Sequence, residues 1–385
     1  MTVFVTGATG FLGRYLVRGL LDQGENVMLL VRAKDRAHGE RRIRNMLAWF
    51  EADLEVLVGT RVTVCPGDLD QPGLGLTADD RARVVAECDS FLHCGASVRF
   101  DLPLAQARAV NLEGTRSVLA LARERQRAGI LRRVDHVSTA YVAGRREGRV
   151  HEEDLLPETE HRNSYERTKF EAEQLVIQAR DEMPITTYRP SIVVGESDFG
   201  RTSNFNTLYW PVKVYATGYW RTLPGRRDTL LDVIPVDFVR DAILALRRKP
   251  RTVGSTFHLV AGPTGALSIG EAIELVERLF PERRDVRVVN PERWMATVHP
   301  LLKAVSFGQM RRFLGTVESY VPYLMGNPVF DNTRTREMLE PMGISVPSVS
   351  SYFDRLMRYC IETDWGRIDR PKSREPATAR VSPQE

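Results

Sequence analysis

An apolar strand, three glycines at spacing three and a helical pattern open this chain: Val3-Phe4-Val5-Thr6-Gly7-Ala8-Thr9-Gly10-Phe11-Leu12-Gly13. No other stretch narrows the possible folds so far. Gly7 permits a tight turn. Gly10 lets backbone approach a ligand with no Cβ in the way. Gly13 lets the helix pack closely on the strand. The free N–H groups at the helix start then face an anion, and a pyrophosphate fits both the shape and the charge. A glycine turn can be purely structural, but a strand before it and a helix after it favour dinucleotide binding.

The strand-then-helix pattern repeats along the first half of the chain. Strands are expected at 3–6, 27–31, 62–65, 90–93, 134–138 and 185–188, with helices at 11–23, 37–51, 79–86, 104–128 and 165–180. Alternation of this kind predicts βαβ units: an α/β, Rossmann, doubly wound parallel sheet. From about Gly195 it fails. A loop with a helix over 204–217 is expected, then strands at 231–234 and 256–260. A helix over 268–280 opens with Ser268 and Glu271 at capping-box spacing. A strand at 286–289 and a mostly helical stretch over 291–339, interrupted by Pro322 and Pro328, complete the reading. The domain division is therefore 1–194 plus 233–262 for the dinucleotide-binding part, and 195–232 plus 263–366 for a smaller, mostly helical C-terminal substrate lobe. A disordered tail is expected over 367–385.

Composition excludes several classes. Over 385 residues the net charge is +4, with 43% hydrophobic and 27% charged residues. That is ordinary for a globular protein and no nucleic-acid signature. Four cysteines (Cys65, Cys88, Cys94, Cys360) lack C-x-x-C spacing, so reduced thiols and a cytoplasmic setting are the simplest reading. With the first strand expected at the very start of the chain, no signal peptide is expected ahead of it. No apolar run reaches the roughly 18–20 residues of a spanning helix, which leaves only peripheral membrane contact open. Histidine and cysteine spacings support no metal site.

The second expected strand ends Leu30-Val31-Arg32, where a carboxylate would suit NAD. A guanidinium there suits a 2′-phosphate, with Arg42 adding charge, so NADPH is expected and NADH is the weaker alternative. Asp68, after the third strand, is placed to accept from an adenine amino group, with Leu69 against the ring. Tyr165 and Lys169 lie four apart on one helix face. A phenol ordinarily titrates near 10, and a nearby ammonium lowers that, so the pair can exchange a proton with a carbonyl oxygen. Only six lysines occur among 54 basic residues, and Lys169 is one of them. Ser138 and Thr139 end the fifth strand, where a hydroxyl can stabilise developing negative charge; alternation lets one of the two face inward. Tyr141 comes two residues later.

These motifs together resemble an extended short-chain dehydrogenase/reductase. The resemblance rests on the glycine loop, Gly67-Asp68, His93-Cys94-Gly95-Ala96, Asn111-Leu112-Glu113-Gly114-Thr115, Val137-Ser138-Thr139, Tyr165 with Lys169, and Tyr188-Arg189-Pro190-Ser191. Within that superfamily the chain is most similar to the fatty acyl-CoA reductase and thioester reductase branch, through Gly95-Ala96-Ser97-Val98-Arg99-Phe100, Ser138 to Gly144, Arg189 to Ser197, Asp232 to Asp237 and Phe330-Asp331-Asn332. It implies Thr139, Tyr165 and Lys169 as catalytic residues, with Asn111 supporting the active-site helix. It implies cofactor contacts at Thr9, Phe11, Leu12, Gly95, Ala96, Lys169, Pro190 and Ser191, and substrate contacts at Ser97, Ser138 and Tyr141. The implied reaction is NADPH-dependent reduction of an acyl thioester, on coenzyme A or an acyl carrier protein, to an aldehyde and in some relatives an alcohol. With no carrier or adenylation domain before Met1, a free-standing monomer or homodimer is expected. The alternatives are an oxidoreductase of a ketone, quinone-like or hydroxysteroid-like intermediate, or a nucleotide-sugar epimerase or dehydratase; Arg32 argues against the sugar enzymes.

The lobe adds an apolar surface. Leu208, Tyr209, Trp210, Val214, Tyr215, Tyr219 and Trp220 read either as one wall of a substrate site or as ordinary lobe core. The stretch 294–325, rich in Met and aromatic residues, reads as helical core, a cap for a long acyl chain, or a membrane-facing segment.

Overall fold

A computed structural model describes residues 1–157, 159–205, 208–218, 222–283, 285–326 and 328–368. Its main sheet holds β1 (Thr2–Thr6), β2 (Asn26–Val31), β3 (Val62–Pro66), β4 (Ser90–His93), β5 (Arg133–Val137), β6 (Ile185–Pro190) and β7 (Thr256–Leu259). The strand order is β7-β6-β5-β4-β1-β2-β3, and every pairing is parallel. All strands therefore end at one edge, and the doubly wound fold places its crevice there. The intervening helices are α1 (Phe11–Asp22), α2 (Arg36–Ala48), α3 (Ala78–Glu87), α4 (Gly114–Ala128) and α5 (Ser164–Gln178).

The strands read as nearly continuous apolar runs because helices cover both faces. Val3 and Val5 of β1 pack with Leu16 and Leu20 of α1 on one face. Phe4 points the other way, among Phe91, Val118 and Val134. The edge opposite the crevice carries a buried charge network. Arg133 and Asp135 pair at 2.6 Å, Tyr188 donates to Asp135 at 2.8 Å, and Arg247 bridges Asp135 and Glu25.

The C-terminal half contributes α6 (Tyr209–Ala216), α7 (Val236–Leu246), α8 (Ile269–Leu279), α9 (Gly308–Tyr320) and α10 (Phe353–Glu362). Helix α8 forms the expected capping box between Ser268 and Glu271. Helix α6 starts later than 204, with Pro211 in its first turn, where a missing N–H costs nothing. The single strand expected over 231–234 is two, Leu230–Leu231 and Val233–Pro235. Between them Asp232 turns inward and accepts the backbone N–H groups of Ala261 and Gly262, at 2.9 and 3.0 Å. The helix expected over 104–128 is interrupted by a π turn, Ala109–Glu113. Short strands at Gly148–Val150 and Pro328–Phe330 pair with each other, and neither carries a strand signal in the sequence. The expected tail lies outside the described residues beyond Ile368. Among the described residues, no helix is long and apolar enough to cross a membrane.

Asp135 is fully buried between Arg133 and Arg247. Asp135→Asn should cost about 3 kcal/mol in urea unfolding, because it leaves buried guanidinium charge uncompensated. Asp22→Asn on the exposed end of α1 should cost less than about 0.5 kcal/mol in the same measurement.

Candidate active site

The glycine turn sits where β1 runs into α1. Gly7 has φ +75°, and a Cβ there would lie 2.6 Å from the Gly95 nitrogen. A Cβ on Gly13 would overlap the Gly7 carbonyl oxygen. Gly10 caps the helix, and its N–H donates to the Gly7 carbonyl at 2.9 Å. Gly7, Gly10, Phe11, Leu12 and Gly13 line a cavity of about 530 Å³. Ala96, Pro190 and Ser191 line it too, while Thr9 and Gly95 do not. The Thr9 carbonyl accepts from Arg14, and Gly95 is overlain by Leu69, whose Cδ1 would lie 2.6 Å from an added Cβ.

A second recess opens at the ends of β2 and β3, lined by Arg32, Lys34, His38, Arg42 and Asp68 among others. Arg32 and Asp68 pair at 2.5 Å, and Arg42 donates to the Arg32 carbonyl oxygen. The sequence treats Arg32 and Asp68 as separate contacts, and the structure joins them. This cationic recess, next to a cradle that tolerates no Cβ at Gly7 or Gly13, fits the phosphate-bearing half of a dinucleotide.

Tyr165 and Lys169 stand on the first turns of α5, and both line the cavity, as does Thr139 at the end of β5. The α5 start is held by Asn163, whose side chain accepts from the Glu166 N–H at 3.0 Å. Asn111 donates to the Thr168 hydroxyl at 2.9 Å and brackets Ser97, accepting from its N–H and donating to its carbonyl oxygen. It sits in the π turn, a distortion common at functional positions. Ser97 itself does not line the cavity, although Ala96 and Val98 do.

Proton affinities depart from the expectation for Tyr165. Burial pushes its phenol up to about 12, opposed by a hydrogen bond with Thr139. Burial therefore outweighs the lowering expected from the spacing to Lys169, whose ammonium donates to the Val137 carbonyl oxygen at 2.8 Å. Burial lowers Lys169 itself to about 8, against the opposing attraction of Glu173 and Cys94. The Tyr165 phenol is thus neutral at physiological pH and carries a proton that it can donate. Ser138 lines the cavity too, and its hydroxyl donates to Glu173, which also holds Arg189 at 2.6 Å.

Beyond Tyr165 the cavity runs into the lobe, between Val212, Leu231, Ile273, Val276, Val317 and Leu324. Tyr141 lines its near end with Phe100, Tyr320 and Tyr323; the sequence points to Tyr141 as a site residue and to Tyr320 and Tyr323 only within the stretch 294–325, where a cap for a long acyl chain is one of three readings. Separate segments supply this wall, so no periodicity in the sequence announces it. Tyr209 is drawn into the lobe core, its hydroxyl accepting from the Gly195 N–H at 2.7 Å, and does not line the cavity. Trp210 belongs to α6, with its side chain outside the described residues, where Tyr219 and Trp220 also lie. Among the described residues no group of His, Cys, Asp and Glu is arranged to hold a metal ion.

Known proteins share this arrangement of sequence and fold. The family model NAD_binding_4, described as male sterility protein, matches residues 5–243. The chain is 30% identical to an aldehyde reductase, lnaA, of Aspergillus flavus, over 97% of this chain and 37% of that protein. It is 31% identical to the fatty acyl-CoA reductase wat of Drosophila melanogaster, over 63% of this chain and 53% of that protein. It therefore spans about half or less of either relative. Among solved structures, the terminal R domain of the myxalamid PKS-NRPS biosynthetic pathway superposes with a TM-score of 0.80 at 29% identity, covering 96% of this chain and 92% of that one.

The Lys169 ammonium is present below about pH 8 and lost above it. The kcat/KM for cofactor should therefore fall as pH rises through about 8. Lys169→Arg, charged throughout, should remove that limb from the profile even if its rate is lower.

Proposed function

The chain belongs to the male sterility protein family of NAD-binding extended short-chain dehydrogenase/reductases, and from that premise we propose that it reduces an acyl thioester to an aldehyde with NADPH. The supporting observation is one continuous cavity that joins the glycine turn, the Tyr165 phenol and the apolar interior of the lobe. A site for a small polar carbonyl would need no such extension. We take residues 1–194 with 233–262 as the cofactor-binding part and 195–232 with 263–366 as the substrate lobe.

Bound nicotinamide supplies the hydride. In the proposed mechanism the Thr139 and Tyr165 hydroxyls hold the substrate oxygen. Tyr165, neutral at working pH, donates its proton as negative charge develops there. Lys169 keeps one donor on Val137 and has two left for ribose hydroxyls. Asn111 holds the helix and the 96–98 loop in register around them. Reduction of the thioester carbonyl gives a hemithioacetal, which collapses to aldehyde and free thiol. A second round on the aldehyde gives the alcohol. The thiol is that of coenzyme A or of a carrier-bound arm, and a cytoplasmic setting supplies either.

NADPH is preferred in this reading because Arg32, Lys34 and Arg42 surround the recess while Asp68 is already paired. Arg32→Ala should raise KM for NADPH about tenfold, the value of one charge-assisted contact, and leave KM for NADH nearly unchanged. Equal effects on both cofactors would remove Arg32 as the discriminator.

The activity is tested by cofactor oxidation with acyl-CoA thioesters of increasing chain length. Turnover should rise with chain length, and Tyr165→Phe should lower kcat by about 100-fold or more while cofactor still binds. Unchanged turnover in Tyr165→Phe would take the proton donor out of the mechanism.

A further inference from the structure

The side-chain cap of α5 is shared with the lobe. Asn163 accepts from Glu166 N–H through its oxygen, and its Nδ2 donates to the Tyr323 hydroxyl at 2.8 Å. Tyr323 lies in the turn Val321–Leu324, 160 residues further along the chain. Its ring stacks on Phe100 at 5.3 Å and meets Tyr141 edge-on at 5.2 Å. Phe100 in turn lies 5.9 Å from the Tyr165 ring. Arg162 completes the joint: its guanidinium is 5.2 Å from the Tyr323 ring, and its Nε donates to the Pro322 carbonyl oxygen at 3.3 Å. The same guanidinium pairs with Glu166, the neighbour of Tyr165, with both side chains almost fully buried.

The turn also faces the substrate cavity, whose near end Tyr323 itself lines. Val321 and Leu324 line it together with Tyr320. The Leu324 carbonyl oxygen accepts from the Arg226 N–H at 3.3 Å and from the Thr229 hydroxyl at 3.4 Å, next to the tunnel residues Leu230 and Leu231. A single turn of four residues therefore touches both the tunnel and the cap of the helix that carries Tyr165.

We propose that Tyr323 is a positioning residue that couples filling of the apolar tunnel to the placement of Tyr165. The inference rests on the acyl-thioester reading and deepens it. Close-packed aromatic contacts transmit a displacement rather than absorb it. An acyl chain against Val321 and Leu324 seats the turn. The Tyr323 hydroxyl and ring then carry that seating to Asn163 and Phe100, and through them to the phenol. Contact energy made far from the carbonyl thus appears in kcat rather than in affinity alone.

Tyr323→Phe keeps the ring and removes the hydroxyl, and its kinetics are compared with wild type across thioesters from short to long chain. The expected result is a roughly tenfold loss of kcat on long chains, a change under about twofold on short ones, and an unaltered Kd for NADPH by fluorescence titration. Loss of affinity with kcat intact would make Tyr323 a wall of the tunnel only. An equal loss at every chain length would make it a fold support only. Either would overturn the proposal. Amide hydrogen exchange over residues 163–169, with and without saturating hexadecanol, reads the coupling without turnover. Protection that rises in wild type and not in Tyr323→Phe is expected. Equal protection in both, or none in either, overturns the coupling even where thioester reduction stands. Absence of thioester turnover in the wild type would instead remove the activity while leaving the exchange result to decide the coupling.

Discussion

The first turn of α1 lies so close to β1 that a Cβ at Gly13 would overlap the Gly7 carbonyl oxygen. The rest of the crevice is stacked on that approach. Gly7 in turn leaves no room for a Cβ against Cys94 and Gly95, at the end of β4. Gly95 is covered by Leu69 from the loop after β3, and Leu69 also presses on Gly114 at the start of α4. Four backbone segments thus approach one another at points where side chains are missing. The result is a floor made largely of main chain, which a pyrophosphate can meet without steric cost and with donors facing it.

Charge is distributed over this frame unevenly. At the far edge of the sheet, Arg133, Asp135, Arg247 and Glu25 are buried but mutually paired. On α5, Glu173 is buried as well, and its two oxygens are taken by Ser138 and Arg189. Glu173 therefore reaches Lys169 only through its field, and the ammonium holds a neutral carbonyl oxygen instead. A lysine buried without a carboxylate partner is costly as a structural element, and its lowered proton affinity follows directly from that. The arrangement makes sense where the ammonium has hydroxyls of a ligand still to meet.

The features legible in the sequence are those that a short stretch of chain can specify. The Gly7-to-Gly13 spacing, the four-residue step from Tyr165 to Lys169 and the strand-end position of Thr139 each depend on one element and its immediate continuation. The parallel sheet follows from alternation and handedness, while its seven-stranded order is set by the fold. Asn111 is legible only by resemblance, because its partners Ser97 and Thr168 are 14 and 57 residues away. Tertiary partners decide the rest. Arg32 is tied to Asp68 across two strand ends, and Tyr209 is drawn into the lobe core by the Gly195 N–H. The acidity of Tyr165 departs from its expected direction for the same reason: spacing says that Lys169 is near, but not how deeply the folded chain buries the phenol.

The tunnel has a different logic. Its wall comes from α6, the strands near 223 and 231, α8, α9 and the 321–324 turn. Each contributes a few apolar side chains, and none carries a motif. Apolar contact is non-directional, so such a wall can be rebuilt by volume-conserving changes without disturbing a single hydrogen bond at Tyr165 or Thr139. Under the proposed function, chemistry and chain-length selection are for that reason separable over most of the cavity. They cease to be separable at Val321–Leu324, where the wall is also the outer half of the α5 cap. A substitution at Ile273 or Val276 changes the room in the cavity. A substitution at Tyr323 changes, in addition, how Phe100 is held against the Tyr165 ring.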